Sequence, residues 1–463
     1  MQFPRRSRNF GVFCVALLLL AMAAPLQSAP AQSKAKPAIL QGLKTPEIVK
    51  AKAKLLDKEG AGRLYRAGEL LVCVMEGTHE EMGYQHGRLL RNHIEHVMRM
   101  GYVKRALWDR GYTREYTDAQ SARMEKHFPP EYIAEMKGVV KGLHDAGLTD
   151  ATYEEIRLGV TEAELLHFDP DAPPGCSNFA VWGKWTTDGR LLHGRNLDWD
   201  IKSGAQEDAV VLVWRPKGGI PFMMLGWSGG IGSVSGMNAE GITMGEMTLP
   251  SPDATFDGLP LFLQMRLVLE KARTLDEAED LLKNTARTTG WNFILGDGGA
   301  RSGLAMETDA EYLDVYKPMD PNEGELTGHW SMEDAVRRTN HPVSKRRLER
   351  LLVAYGDMVK EELGMEIESF EDGIRMLKLQ NSWQRYDWMG KVIQAQKGEM
   401  DVEECLQILA NGPVRAGNTL HTFVFDPENQ TAYVAVAGMD PPAPATSMPF
   451  YRIQLKKWFK PVP

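Results

Sequence analysis

The sequence has few cysteines, no excess of basic residues and no long apolar run beyond its N-terminus. Its 463 residues include 54 Lys and Arg against 62 Asp and Glu, a formal net charge of -8. This balance leaves no basic excess to neutralise phosphates and argues against a nucleic-acid partner. The missing apolar run argues against an integral membrane protein. With 43% hydrophobic residues, the chain has enough apolar side chains to bury a sizeable core.

The N-terminus has the pattern of a secretory signal. Arg5, Arg6 and Arg8 precede an apolar stretch over residues 10–26, and the small residues Ala29-Pro30-Ala31 follow it. We therefore expect a signal peptide over residues 1–31 and an exported protein, periplasmic or secreted. A short membrane anchor is the alternative.

Only four cysteines occur, and one of them, Cys14, lies in the predicted signal. The exported chain then keeps Cys73, Cys176 and Cys405, an odd number. In an oxidising compartment one disulfide, such as Cys73 to Cys405, would leave Cys176 as a free thiol.

Patterns along the rest of the chain predict an α+β protein. Residues 32–60 indicate a charged helix or a loose leader, residues 70–75 a strand, and residues 80–168 mainly helices. Prolines at 170, 173 and 174 end the helical pattern, and a series of strands follows from residue 177 to 248. Later segments predict helices at 259–284, 343–364, 369–379 and 401–411, and strands at 291–317 and 421–437. Strands in runs and helices in runs are typical of α+β layers.

The junction at Gly175-Cys176 is the most informative place in the sequence. A strand from Ser177 and a second strand through Arg195 and Asp198 predict a hairpin that returns both charged residues toward Cys176. A cation beside a thiol favours the thiolate, which attacks carbonyl carbon. From the residues alone, a buried cysteine with a surface Arg/Asp pair is the favoured alternative, since no histidine lies at an obvious partner spacing.

The motifs around this junction resemble those of a known enzyme family. G-C-S-N-F at 175–179, followed by T-T-D-G-R-L-L-H-G-R-N-L-D-W, is similar to the N-terminal-nucleophile cysteine hydrolases of the penicillin acyltransferase-like C45 group. Choloylglycine hydrolase and penicillin V acylase are relatives of that group. Four further segments resemble motifs of the group: residues 76–87, 135–143, 236–250 and 338–342 (R-T-N-H-P).

The resemblance implies a fold, a domain organisation and an activity. The expected fold is a four-layer αββα sandwich, with a helical pre-segment at 32–175 and the nucleophile at the start of a 176–463 segment. Self-cleavage between Gly175 and Cys176 is implied, after which the two segments stay associated. The expected activity is cleavage of an N-acyl amide through a thioester at Cys176, by hydrolysis or by acyl transfer, with no cofactor and no metal.

The resemblance also assigns roles to residues of the site. The α-amine of Cys176 would be the base, Asp198 would orient it, and Arg195 would lie beside the thiolate. Asn340 matches an oxyanion-stabilising asparagine. Thr248 stands where the relatives have a second asparagine, and Arg415 is a loose match to a distal arginine of the family.

Several other residues and two other functions have to be considered. We interpret His79, His86 and His193 as packing residues, since no third metal ligand is near the first two. An apolar acyl pocket is predicted around Trp182, Trp185, Trp199, Trp227 and the wall at 222–227, although core packing is the alternative. Cys176 lacks the C-G-S-C-W context of papain-like peptidases. A cysteine peptidase unrelated to papain and a non-catalytic binding protein on the same scaffold remain alternative functions.

Overall fold

A computed structural model describes residues 37–97, 102–167, 175–363, 367 and 369–460, so the predicted signal at 1–31 lies outside the described residues. The first part of the chain contributes strands, which corrects the expectation of a helix or loose leader before residue 60. Four strands precede the first long helix: β1 (Ile48–Val49), β2 (Ala53–Glu59), β3 (Gly62–Ala67) and β4 (Leu70–Gly77).

The lysine-rich β2 is an edge strand, and this explains the wrong prediction. It pairs with β3 through a tight turn at Gly60, whose φ is +55°. Its outer edge pairs with no other strand of the described residues, and most of its side chains are exposed. Charged residues on an edge strand discourage pairing with other chains. They also interrupt the alternation of apolar and polar residues by which a strand is recognised in a sequence.

The predicted helical region between β4 and the Gly175-Cys176 junction is confirmed. Its helices are α1 (His79–Leu89), α2 (Arg91–Glu95), α3 (Tyr102–Ala106), α4 (Arg114–Glu125), α5 (Pro130–Asp145) and α6 (Tyr153–His167). Thr78 and Glu81 form a capping box at the start of α1, which satisfies two main-chain N–H groups there.

Four glycines allow α1 and α5 to touch along their main chains. A Cβ atom on Gly83 or Gly87 would collide with main-chain atoms of α5, and one on Gly138 or Gly142 would collide with those of α1. Both glycine pairs are four residues apart, so each pair lies on one face of its helix. Two of the segments that resemble family motifs therefore include a helix-packing contact.

The remaining elements follow the junction. The strands are β5 (Gly175–Val181), β6 (Leu192–Asp198), β7 (Ala209–Pro216), β8 (Phe222–Trp227), β9 (Ser235–Asn238), β10 (Ile242–Thr248), β11 (Trp291–Asp297), β12 (Ser302–Thr308), β13 (Leu313–Tyr316), β14 (Ala335–Arg338), β15 (Thr419–Asp426), β16 (Thr431–Val436), β17 (Gly438–Met439), β18 (Pro442–Ala443) and β19 (Phe450–Gln454). The helices are α7 (Leu261–Lys271), α8 (Leu275–Lys283), α9 (Lys345–Leu363), α10 (Phe370–Leu379), α11 (Asn381–Ala395) and α12 (Val402–Ala410). Sequence patterns predicted most of them but not β9, β14, β17, β18, β19 or α11.

Two large sheets form the middle of a four-layer αββα sandwich, as expected. One has the order β1-β19-β16-β15-β6-β5-β14 and the other β13-β12-β11-β10-β9-β8-β7-β4-β3-β2. They face each other where β5 and β14 contact β10, β11 and β12. Helices α11 and α12 pack on the seven-stranded sheet, and α1 and α7 on the ten-stranded sheet. The α+β class is therefore confirmed.

The segment before the junction is built into this sandwich. Its strand β4 pairs in parallel with β7 from Leu71↔Val210 to Gly77↔Pro216, so β2, β3 and β4 extend the ten-stranded sheet. The expected helical pre-segment is therefore a mixed segment, whose strands are interleaved with those that follow Cys176.

The three described cysteines are free and buried. Cys73 lies in β4 of the ten-stranded sheet, whereas Cys405 lies in α12, outside the seven-stranded sheet. These positions in different layers rule out the disulfide considered between them in this fold. Burial raises the pKa of both thiols above the usual range. None of the helices in the described ranges has the length and apolarity needed to cross a membrane.

We expect Gly138→Ala to destabilise the protein by about 1–3 kcal/mol, because its methyl group would force α1 and α5 apart. Gly356→Ala in α9 is the matched control, since no atom lies within 4 Å of its added Cβ. Removing a helical glycine there should be neutral or stabilising by up to about 1 kcal/mol. Urea unfolding of both variants measures the difference; equal effects would contradict the close packing.

Candidate active site

The hairpin of β5 and β6 brings Cys176 and Arg195 together as predicted. Cys176 pairs with Leu197 across the two strands, and Arg195 lies two residues from Leu197, on the same face. The Arg195 Nη2 atom donates to Cys176 Sγ at 3.5 Å. Both side chains are almost completely buried between the sheets.

Two residues that the sequence analysis missed hold Arg195 in place. Its Nε donates to the carbonyl of Glu246 and its Nη2 to Glu246 Oε1, both at 2.7 Å, while Nη1 donates to Ser235 Oγ at 2.8 Å. Burial raises the pKa of Glu246 to about 7, against the opposing effect of Arg195. Glu246 lies inside the 236–250 motif, and its apolar neighbours in a strand were the available signal.

Burial dominates the acidity of the candidate nucleophile. It raises the pKa of the Cys176 thiol to about 12; Arg195 and Arg385 lower the pKa, and Glu246 and Asp198 raise it further. The thiol in the uncleaved chain is therefore protonated at neutral pH. A neighbouring guanidinium does not activate it alone, so the site requires a base.

Asp198 lies against the residue that precedes Cys176. It pairs with Gly175 across the hairpin, and a Cβ atom on Gly175 would come within 2.9 Å of Asp198 Oδ2. Thr419 Oγ1 donates to Asp198 Oδ1 at 2.7 Å. Burial raises the pKa of Asp198 to about 6, although Arg385, Thr419 and Arg195 lower it. Only glycine leaves room for the carboxylate at this position.

Asn340 contacts the peptide bond that joins Gly175 to Cys176. Its Oδ1 accepts a hydrogen bond from the Cys176 main-chain nitrogen at 2.8 Å, and its Nδ2 donates to the carbonyl of Thr248 at 3.0 Å. The structure thus brings Asn340 and Thr248 to the site. One of the two amide hydrogens of Asn340 bonds to Thr248, which leaves the second hydrogen as the donor for an oxyanion.

A second arginine beside Cys176 is Arg385 of α11, and not Arg415, the residue that the sequence comparison had suggested. Its Nη1 donates to the Cys176 carbonyl and to Ser177 Oγ, and its Nη2 donates to Asn340 Oδ1 at 2.9 Å. Arg415 is exposed and donates to Ser447 Oγ at 3.4 Å. The helical run N-S-W-Q-R-Y-D-W at 381–388 was the missed signal.

The three histidines interpreted as packing residues each have a polar partner within the protein. His86 is buried, and its Nε2 accepts from the Gly229 main-chain nitrogen at 3.0 Å. His193 is buried and bonds to Thr243 and Asn178. His79 pairs with Glu270 at 2.9 Å. In the described part of the chain, no three His, Cys, Asp or Glu side chains are placed to hold a metal ion.

Most of the predicted acyl pocket is protein core. Phe222, Met223 and Met224 are fully buried and belong to two hydrophobic clusters of the core. Trp227 lines a small cavity together with Glu162 and Phe262. The continuous apolar run at 222–227 reflects packing on both faces of the strand, which is typical of a central strand.

A family model described as acyl-coenzyme A:6-aminopenicillanic acid acyl-transferase matches residues 185–440, more than half of the chain. The matched range includes Arg195, Asp198, Asn340 and Arg385 and begins after Cys176.

Three curated relatives illustrate the similarity. An uncharacterised protein of Archaeoglobus fulgidus is 28% identical over 53% of this chain and 45% of its own length. Protein dcd1B of Dictyostelium discoideum is 23% identical over 57% and 56%. The acyl-coenzyme A:6-aminopenicillanic-acid-acyltransferase 40 kDa form of Emericella nidulans is 24% identical over 51% and 63%. The alignments span about half the length of the first two relatives.

Solved structures are similar at low identity. An N-acylethanolamine-hydrolyzing acid amidase ortholog of Caenorhabditis elegans is 16% identical, with a TM-score of 0.39 over 54% of this chain and 93% of that chain. The penicillin V acylase of Agrobacterium tumefaciens is 12% identical, with a TM-score of 0.36 over 61% and 87%.

Glu162 of α6 makes stability depend on pH. Burial raises the pKa of this carboxyl to about 8, and its Oε2 has no hydrogen-bond partner among the described residues. Between pH 4.5 and 8 the folded state therefore holds a proton that the unfolded state releases, so the free energy of unfolding falls as pH rises through this window. Each pKa unit corresponds to about 1.4 kcal/mol.

We expect Glu162→Gln to remove this pH dependence. The free energy of unfolding that the variant gains over wild type should be a few kcal/mol larger at pH 8 than at pH 4.5. Thermal unfolding across that range measures the effect. Glu115→Gln, at an exposed position of α4, is the control and should leave the pH profile of the wild type. A Glu162→Gln profile parallel to that of the wild type would contradict the neutral, buried carboxyl.

Proposed function

Because the chain belongs to the acyl-coenzyme A:6-aminopenicillanic acid acyl-transferase family, we propose that it cleaves the carbon–nitrogen bond of N-acyl amides through a thioester at Cys176. One observation carries this proposal. The thiol of Cys176, the guanidinium of Arg195 and the amide of Asn340 all lie at one buried peptide unit, the Gly175-Cys176 bond. A non-catalytic protein has no need to bury this set of charged and polar groups together.

The first reaction is self-cleavage of that bond. The Cys176 thiol adds to the Gly175 carbonyl carbon and its proton passes to the Cys176 nitrogen. The C–N bond then breaks, which frees the α-amine of Cys176 and leaves a thioester between Gly175 and Cys176 Sγ. Water hydrolyses this thioester, which releases the Gly175 carboxylate and restores the Cys176 thiol. The hydrogen bond from the Cys176 nitrogen to Asn340 Oδ1 holds the leaving nitrogen in place.

The new α-amine supplies the base that the site lacks before cleavage. Its ordinary pKa is about 7.7 to 8.0, so a neutral fraction is present near neutral pH and takes the proton of the thiol. Departure of Gly175 opens the space beside Asp198, whose carboxylate then faces the amine. Arg195 stabilises the thiolate, and Asn340 Oδ1 holds one amine N–H. We assign Asn340 this holding role in addition to oxyanion donation through its second amide hydrogen.

Water hydrolyses the thioester of the acyl-enzyme. The N-terminal pattern over residues 1–31 supports export, and an exported enzyme meets water at high concentration and acyl-coenzyme A not at all. We therefore favour hydrolysis over acyl transfer. The buried apolar residues of the strands around Cys176 favour an apolar acyl group.

Contacts across the cleavage point support continued association of the two segments. Strand β4 stays paired with β7, and the buried Glu135 of α5 bonds to Arg266 of α7 through both carboxylate oxygens at 2.6 and 2.8 Å. Glu164 of α6 also accepts from the Leu261 main-chain nitrogen at 2.6 Å. Breaking a buried ion pair of this kind is costly, so cleavage leaves a noncovalent heterodimer.

We expect the purified protein to contain a chain that begins at Cys176 and ends at Pro463, because the thiol attacks its own peptide bond. Cys176→Ala should abolish both this cleavage and amide hydrolysis, whereas Cys176→Ser should cleave slowly and turn over poorly. Intact mass and N-terminal sequencing detect cleavage, and amine release from N-acyl amino acids, penicillin V and conjugated bile salts detects activity. An active, uncleaved chain would refute the proposal; activity confined to internal peptide bonds would favour a peptidase.

The two arginines separate the structural assignment from the sequence-based one. Arg385→Lys removes the planar fork that bonds Cys176 and Asn340 together, so we expect kcat to fall by about 100-fold. Arg415→Lys, at an exposed position, is the matched control and should leave kcat within about twofold of wild type. The opposite ranking in a steady-state assay would restore Arg415 to the site.

A further inference from the structure

A buried chain of hydrogen bonds runs from Asn340 to a pair of histidines. The Asn340 main-chain nitrogen donates to Ser382 Oγ at 2.8 Å, and His341 Nδ1 lies 2.7 Å from the same oxygen. His341 Nε2 lies 2.9 Å from His329 Nε2. Ser382 and Thr339 complete the cluster, because each hydroxyl donates to the other residue: Ser382 Oγ to Thr339 Oγ1 at 3.0 Å and Thr339 Oγ1 to the Ser382 carbonyl at 2.9 Å.

Proton counting limits the cluster to two arrangements. Two ring nitrogens 2.9 Å apart share one proton, so one histidine donates and the other accepts. If His329 Nε2 donates, His341 carries its own proton on Nδ1 and donates it to Ser382. If His341 Nε2 donates, its Nδ1 accepts from Ser382, and His329 is left with an N–H on Nδ1.

The first arrangement is the more stable one. His329 Nδ1 is buried and has no hydrogen-bond partner among the described residues. In the first arrangement this nitrogen has no proton and only an acceptor is left without a partner. In the second arrangement it carries an N–H, and folded proteins rarely bury a donor without a partner. His329 Nε2 therefore donates to His341 Nε2, and His341 Nδ1 donates to Ser382 Oγ.

Surrounding groups keep both rings neutral and fixed. Burial lowers the pKa of His341 to about 3, with Arg385, Arg338 and Arg337 adding to the effect. The pKa of His329 also lies well below its usual range, through burial, His341, the same pair Arg337 and Arg338, and Lys378. The His329 ring stacks on Trp383 with centroids 4.0 Å apart. Both rings are therefore neutral near neutral pH, and their hydrogen bonds select the tautomer.

We propose that His329, His341 and Ser382 are positioning residues that hold Asn340 against the Cys176 nitrogen. Ser382 Oγ accepts a hydrogen bond from the main-chain nitrogen of Asn340. Arg385, one turn later on α11, donates to the side-chain oxygen of Asn340. The residue that holds the nucleophile's nitrogen is thus fixed at two points by a single helical turn. This inference rests on the proposed function of Cys176 and gives a role to the histidine of the R-T-N-H-P motif.

Two substitutions of His341 separate positioning from simple packing. An asparagine amide nitrogen takes the place of Nδ1 and keeps the donor to Ser382, whereas a glutamine amide nitrogen takes the place of Nε2 and loses it. We expect His341→Gln and Ser382→Ala to lower the self-cleavage rate and kcat by roughly 10- to 100-fold with KM within about twofold of wild type. His341→Asn should keep kcat within about fivefold of wild type.

Controls distinguish failure of this inference from failure of the proposed function. His127→Asn, at an exposed position, should match wild type. If wild type neither cleaves itself nor hydrolyses any N-acyl amide, the proposed function is wrong. If wild type is active and His341→Gln and Ser382→Ala keep its kcat, or His341→Asn loses as much as His341→Gln, the positioning role is overturned.

A spectroscopic test needs no variant to be active. In protein labelled with ¹⁵N-histidine, the ring nitrogen shifts report which nitrogen carries the proton, and the His329→Phe and His341→Asn spectra assign the signals. We expect protonation at Nε2 of His329 and at Nδ1 of His341 in the folded wild type at pH 7. Protonation of His341 at Nε2, or a mixture of its tautomers, would overturn the proposed arrangement.

Discussion

The register of the β5–β6 hairpin is the constraint on which the site depends. Pairing of Gly175 with Asp198 puts the carboxylate against the residue that leaves, and pairing of Cys176 with Leu197 puts Arg195 on the face of the thiol. A shift of one residue would turn Arg195 to the opposite face of the sheet, because side chains alternate along a strand. The tight fit of Asp198 against Gly175 opposes such a shift.

Burial gives the site its chemistry. The sheets that enclose Cys176 raise the pKa of its thiol to about 12 and that of Asp198 to about 6, so at neutral pH the thiol keeps its proton and the carboxylate is a stronger base than an exposed aspartate. Buried guanidinium groups are retained because each has matched acceptors, Glu246 for Arg195 and Asn340 for Arg385. In our proposal, cleavage adds a basic group to the site, because it creates the α-amine of Cys176 next to the carboxylate of Asp198.

Sequence patterns predicted the elements that neighbouring residues determine, and they missed those that depend on distant segments. The turn signal between β5 and β6 and the alternation of their residues predicted the hairpin that the structure shows, since a hairpin is specified by neighbouring residues. Strand β2 was misread because its lysines reflect its edge position in a sheet that other segments build. Arg385 was missed because its partners lie more than 40 residues away in sequence, across packed layers. Self-cleavage and the roles of these residues stay predictions.

Trapping the acyl-enzyme tests the central claim most directly. Protein mixed with an N-acyl amide it hydrolyses is quenched in acid within the steady state, digested and analysed by mass spectrometry. We predict the acyl mass on a peptide whose first residue is Cys176, linked through sulfur and released by hydroxylamine. An acyl group on any other residue, or on an internal Cys176 still joined to Gly175, would contradict the account.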